Sequence, residues 1–136
     1  MEGCLFCKII KKEIPAEIIY EDESLIVFLD INPVNKGHAL VVSKKHFETS
    51  LDLPDSILCD VIQVAKRVAI KQMKELKCVG VNYIMNNFKA AGQEVSHAHL
   101  HVIPRFDEDD LVFLQGNKEG YSEGEISEYR QKLEIK

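Results

Sequence analysis

Three of the five histidines in this 136-residue chain stand at alternate positions in HAHLHVIP, residues 97 to 104. The apolar residues between them and the closing Pro104 predict a β-strand. Alternate residues of a strand share a face, so His97, His99 and His101 point one way while Ala98, Leu100 and Val102 point into a core. Three chemistries fit such a row. The imidazoles form an inert solvated face, they hold one metal together, or they divide the work. In the third case one ring attacks a phosphorus or acyl centre and its neighbours hold charge and orientation. A single metal held by all three is disfavoured, because His97 and His101 lie about 13 Å apart on an extended strand and metal–nitrogen bonds are about 2 Å.

Cys4 and Cys7 form a second group, a C-x-x-C pair. A redox dithiol of this spacing belongs where a strand meets a helix in a βαβ unit, and no such unit is visible. Zinc is the better reading, and a tetrahedral structural site needs two more nitrogen or sulfur ligands. Cys59 and Cys78 have no partner by spacing and read as core or surface thiols.

The surrounding sequence must position these groups. With 46% hydrophobic and 29% charged residues, the chain suits one domain, residues 1–136, with a core over 4–104 and a C-terminal extension over 105–136. A net charge of -5 and a pI near 5.5 exclude general affinity for a nucleic-acid backbone. They leave room for a small anionic ligand held locally. Neither a signal peptide nor a membrane span is read, and a cytoplasmic protein with reduced thiols is expected. EIIYEDESLIVFLDINP predicts a hairpin turning at EDES, and HALVVS and VNYIMN predict two further strands. Between them, PDSILCDVIQVAKRVAIKQMKELK places Ile57, Val61, Val64 and Val68 at helical spacing, widened by Leu58, Ile62, Ala65 and Ala69. One long helix ending near Gly80 follows. SEGE offers a capping box, Ser122 with Glu125, that opens a short C-terminal helix. The acidic run DEDD after Arg105 reads as a solvated loop without metal. The fold class is therefore α+β, an antiparallel sheet of about five strands covered by one long helix, with no dinucleotide or P-loop signature.

The run HAHLHVI, preceded by AAGQEVS, resembles the histidine-triad (HIT) signature of nucleotide hydrolases and transferases. IIKKEIPAEIIYEDESLIVFLDINPVNKGHALVV is similar to that family's N-terminal half. The resemblance implies hydrolysis or nucleotidyl transfer at the α-phosphate of AMP-like substrates: nucleoside phosphoramidates, aminoacyl adenylates or dinucleoside polyphosphates. It implies His99 as the nucleophile, with His101, Gln93 and His38 supporting it. For the nucleotide it implies Phe6, Ile9 and Phe28 around the base, although these could equally be core. Asp30 would accept the ribose hydroxyls beside Ile31, and Asn86 and Val95 would complete the site. In the zinc-bearing branch, His46 and His97 match the third and fourth ligands beside Cys4 and Cys7, implying one structural zinc per chain and no organic cofactor. A homodimer is also implied. Glu94 departs from branches that carry a small hydroxyl residue there, and a carboxylate resists a negatively charged leaving group. Two other classes stay open: a metallohydrolase in which zinc activates water, and a noncatalytic purine-nucleotide-binding or scaffold module.

Overall fold

The computed structural model describes residues 2–111 and 118–135. Five antiparallel strands form one sheet: β1 (Ile18–Glu21), β2 (Leu25–Leu29), β3 (Ala39–Ser43), β4 (Gly80–Ile84) and β5 (His99–Arg105). Their spatial order is β1-β2-β3-β5-β4. The predicted hairpin is β1–β2, with Asp22 Oδ1 accepting the N–H groups of Ser24 and Leu25 to close its turn.

β2 and β3 are apolar runs rather than alternating ones because both faces of the sheet are covered. On one face the long helix α2 (Asp55–Leu76) packs Val61, Val64, Ala65 and Val68 against Leu25, Val27, Ala39, Val41, Leu100 and Val102. On the other face a six-residue helix, α1 (Leu5–Ile10), packs Phe6 and Ile9 against Ile26, Phe28, Leu40 and Val42. That helix is absent from the sequence reading. Six residues show too little periodicity to announce a helix, and Cys4, the residue that caps it by accepting from Cys7 N–H, reads first as a metal ligand. Alternation along β5 puts His99 and His101 on the α1 face and Leu100 and Val102 on the α2 face, with Val42 opposite His99 and Leu40 opposite His101.

Three local expectations change. His97 precedes β5 rather than opening it, so the three histidines do not form one row. α2 stops at Leu76 because Lys77 turns left-handed at φ +58°, short of Gly80. The acidic run after Arg105 is not wholly solvated: Asp109 binds Arg105 through Oδ2 to Nε at 2.8 Å and Oδ1 to Nη2 at 2.9 Å, and accepts from Asn35. The Arg105 guanidinium holds that carboxyl well below the usual carboxylate range. The C-terminal helix α3 (Glu125–Leu133) forms as expected, with Ser122 N–H donating to Glu125 Oε1 at 3.0 Å, but Gly124 occupies the cap position.

The segment before β3 is set by Gly37, at φ +98°, where an added Cβ would run into Leu76 Cδ1 of α2. Gly37→Ala is expected to cost about 1–3 kcal/mol through left-handed strain. Chemical denaturation checks this, and an unchanged midpoint would show that the turn before His38 tolerates a side chain.

Candidate active site and metal centre

The two chemistry-bearing groups of the sequence meet where α1 crosses β5. Cys4 and Cys7 flank the start of α1, His46 follows β3, and His97 lies in the loop entering β5. Their four ligand atoms all fall within 4.8 Å of one another. His97 Nδ1 is 3.4 Å from Cys4 Sγ, 3.6 Å from Cys7 Sγ and 3.1 Å from His46 Nδ1, while Cys7 Sγ is 3.3 Å from His46 Nδ1. A tetrahedron with bonds of about 2.0–2.3 Å has edges of about 3.3–3.8 Å, so this spacing suits zinc. The His97 tautomer also fits. Its Nε2 lies 2.6 Å from the Ser43 carbonyl, which can only accept, so Nε2 carries the proton and Nδ1 offers its lone pair to the cluster. The donor set is complete with four protein atoms and leaves no open position for an activated water.

His99 stands next along the chain with a fixed tautomer. Its Nδ1 lies 2.6 Å from the His97 carbonyl, so Nδ1 carries the proton and Nε2 keeps the lone pair. The ring is buried, with the edge of Phe6 against it at 5.0 Å between centroids. His101 belongs to a different chain of bonds. Val34 N–H donates to His38 Nδ1 at 3.1 Å, so His38 Nε2 carries the proton and donates to His101 Nδ1 at 2.9 Å. The proton of His101 is thereby left on Nε2. Asp30 Oδ2 lies 3.8 Å from His38 Nε2. Asp30, His38 and His101 therefore have metal-like spacing, but a cation on His38 Nε2 would displace the proton this relay uses. Burial lowers His38 and His99 below the ordinary imidazole value, and burial together with the charges of His99 and His38 brings His101 to about 4.

His99 and His101 border a cavity of about 440 Å³, within the range of small-ligand sites. Phe6, Ile9, Phe28, Asp30, Ile31, Asn86, Val95, His99 and His101 all line it, joined by Leu5, Ile14, Pro15, Ala16, Val34, Leu40 and Glu94. Phe6, Ile9 and Phe28 thus serve both as core and as wall, while Ile31 is 88% exposed at the lip. The Ile14 to Ala16 wall had no motif to announce it. Gln93 and His38 are the exceptions among the residues named for catalysis and nucleotide binding, since neither lines the cavity. His38 reaches it only through its bond to His101. The Gln93 amide nitrogen donates to the carbonyls of Glu48 at 2.7 Å and Val95 at 3.0 Å, while its Oε1 accepts Phe88 N–H at 2.7 Å. Its evident work is to hold the loop before β5.

The HIT domain family matches residues 11–108. This chain belongs to the HIT family. An uncharacterized HIT-like protein of Methanocaldococcus jannaschii is 50% identical over 113 residues, covering 83% of this chain and 87% of that protein. An adenosine 5'-monophosphoramidase of Saccharomyces cerevisiae is 46% identical over 106 residues, 78% of this chain and 65% of the yeast protein. Among solved structures, a zinc-bound histidine triad family protein from Mycobacterium smegmatis superposes with a TM-score of 0.78 at 38% identity, covering 85% of this chain and 84% of that one. Among the described residues no helix is long and apolar enough to cross a membrane.

The buried histidines make stability depend on pH. An unfolded imidazole titrates near 6.5, and folded His101 near about 4. Between these values the unfolded chain binds more protons, so this contribution is full above pH 6.5 and fades as the pH falls towards 4. The unfolding free energy is expected to drop from about pH 7 to about pH 5, and His101→Gln to drop less over that interval. Equal pH slopes for the two proteins would count against the burial effect.

Proposed function

We propose that this HIT protein is a hydrolase acting at the α-phosphate of AMP-like substrates, with nucleoside phosphoramidates as the favoured class, through a nucleotidyl-His99 intermediate. The observation that carries the reading is the 2.6 Å bond from His99 Nδ1–H to the His97 carbonyl, which presents an unprotonated Nε2 in a nucleotide-sized cavity. The activity named for the yeast relative supports the reaction class.

In this reading the base lies against Phe6 and Phe28, Asp30 accepts the ribose hydroxyls, and the α-phosphate rests between His99 and His101. The His99 Nε2 lone pair forms a bond to phosphorus while the bond from phosphorus to the leaving nitrogen breaks. The departing amine gains a proton from solvent. Water then attacks phosphorus, the phosphorus–His99 bond breaks, AMP leaves, and a proton returns to solution. His101 Nε2–H donates to a phosphoryl oxygen as its charge develops. Gln93 supports the site by holding its loop. With a reference value near 6.5 lowered further by burial, His99 is neutral at pH 7 and needs no separate base.

Cys4, Cys7, His46 and His97 would hold a structural zinc, which when bound contributes folding energy. The zinc-bound relative supports this assignment. Those four ligands disfavour the activated-water alternative, since they leave no open coordination position. Leu58, Ile62, Ile70 and Met73 stay exposed on α2, and we read them as the surface covered by a second copy in a homodimer. The purine nucleotide is the only other partner in this reading, and a cytoplasmic setting suits the free thiols.

Three outcomes are expected. His99→Ala should keep AMP binding and lose at least about a thousandfold in kcat on an AMP phosphoramidate; wild-type turnover by a folded variant would assign the chemistry elsewhere. Protein purified without added metal should carry one zinc per chain by elemental analysis. The Cys4→Ser/Cys7→Ser double variant should lose both the zinc and several degrees of thermal stability, and full zinc retention would contradict the ligand set.

A further inference from the structure

Glu94 stands on the border of two cavities. One is the cavity that holds His99. The other, about 850 Å³, is lined by Glu48, Phe88, Lys89, Gln93, Glu94 and Ser96 among others, and the two share Gly92 and Glu94. Gly92, at φ +96°, has no side chain between them; a Cβ there would lie 3.7 Å from the Asn86 amide on the nucleotide side. Glu94 is exposed. Glu48 and Lys89, one acidic and one basic, line the second cavity with it, while on the side of His99 Asp30 accepts Asn32 N–H and lies beside His38. No hydrogen bond or ion pair involving the Glu94 carboxylate occurs among the described residues, yet its charge reaches His99 and favours the protonated ring.

Displacement at phosphorus places the attacking and leaving atoms roughly in line. With His99 on one side of the phosphorus, the leaving group departs on the other, and the neighbouring cavity offers it room. We propose that Glu94 selects the substrate by the charge of its leaving group, favouring an amine that carries a positive charge and disfavouring a polyphosphate chain. This deepens, and rests on, the reading of the site as a phosphoramidate hydrolase. When the phosphorus–nitrogen bond breaks, the nitrogen takes the electron pair and gains a proton from solvent. At neutral pH the free amine takes a second proton and leaves as an ammonium ion beside the carboxylate. A polyphosphate leaving group instead gains negative charge beside a negative group, and specificity follows from the repulsion as much as from the attraction. One charge pair a few Å apart in a solvated cleft is worth about fivefold to tenfold.

The test uses three adenylyl compounds: the phosphoramidates of diaminobutane, which is cationic, and of butylamine, which is neutral, and diadenosine tetraphosphate, which is anionic. In the wild type, kcat/KM should follow the order cationic, neutral, anionic. Glu94→Gln should lower the cationic-to-neutral ratio about fivefold to tenfold and raise the anionic-to-neutral ratio. Glu94→Asp should retain the wild-type order, and high salt should shrink it. A Glu94→Gln variant that changes all three substrates by one common factor overturns the proposal. Non-reacting analogues, with a methylene group in place of the bridging atom, read the same charge order as dissociation constants. Absence of turnover on all three substrates would sink the hydrolase reading. The analogue affinities would then decide the role of Glu94, and equal affinities in wild type and Glu94→Gln would overturn it.

Discussion

Two hydrogen bonds made by one residue set the rest of the site. His97 donates from its side chain to the Ser43 carbonyl and accepts at its own carbonyl from His99, both at 2.6 Å. The first bond fixes which ring nitrogen faces Cys4, Cys7 and His46. The second fixes which nitrogen of His99 is left bare. The proposed metal site and the proposed nucleophile are thus coupled through a single residue at the entry to β5, and the register of β5 on β3 carries the coupling into the sheet. Fixed carbonyls impose these tautomers without any charged partner, a weaker demand on a buried site than an ion pair.

Burial then completes the chemistry. α1 covers a face of the sheet that would otherwise be solvated, and Phe6, between the two cysteines in sequence, closes against both His97 and His99. The same side chain packs in the core cluster and walls the cavity. Desolvation lowers the pKa of His97 and His99, favouring their neutral forms, and apolar side chains wall the cavity beside them. The relay from Val34 N–H through His38 to His101 supplies a donor without placing a positive charge in the cleft.

The sheet and long helix were legible because their periods are strong: alternate positions in β5 and the three-to-four residue spacing from Ile57 to Val68. Cys4 and Cys7 were legible as a candidate zinc pair from their spacing, whereas His46 and His97 as further ligands and His99 as nucleophile came from the resemblance to the HIT family. What sequence spacing could not supply was the third dimension. His97 reads as part of a strand, but the loop leaves it beside His46, and a chain reversal of that kind has no periodic signal. Gln93 stands next to Gly92 in the motif, and only the backbone partners around it show that its amide is committed to Glu48, Val95 and Phe88. Asp109 was hidden in an acidic run because its partner, Arg105, is recognisable only once the chain turns back on itself.

The proposed chemistry turns on which nitrogen of which histidine bonds to phosphorus. Acid-labile adducts trapped during turnover of an AMP phosphoramidate, mapped by peptide mass and by phosphorus–nitrogen coupling in NMR, resolve both questions. The predicted result is one adenylyl group per chain on His99, attached through Nε2. Attachment through Nδ1, attachment to another residue, or turnover with no adduct would contradict the arrangement in which the His97 carbonyl leaves Nε2 as the attacking atom.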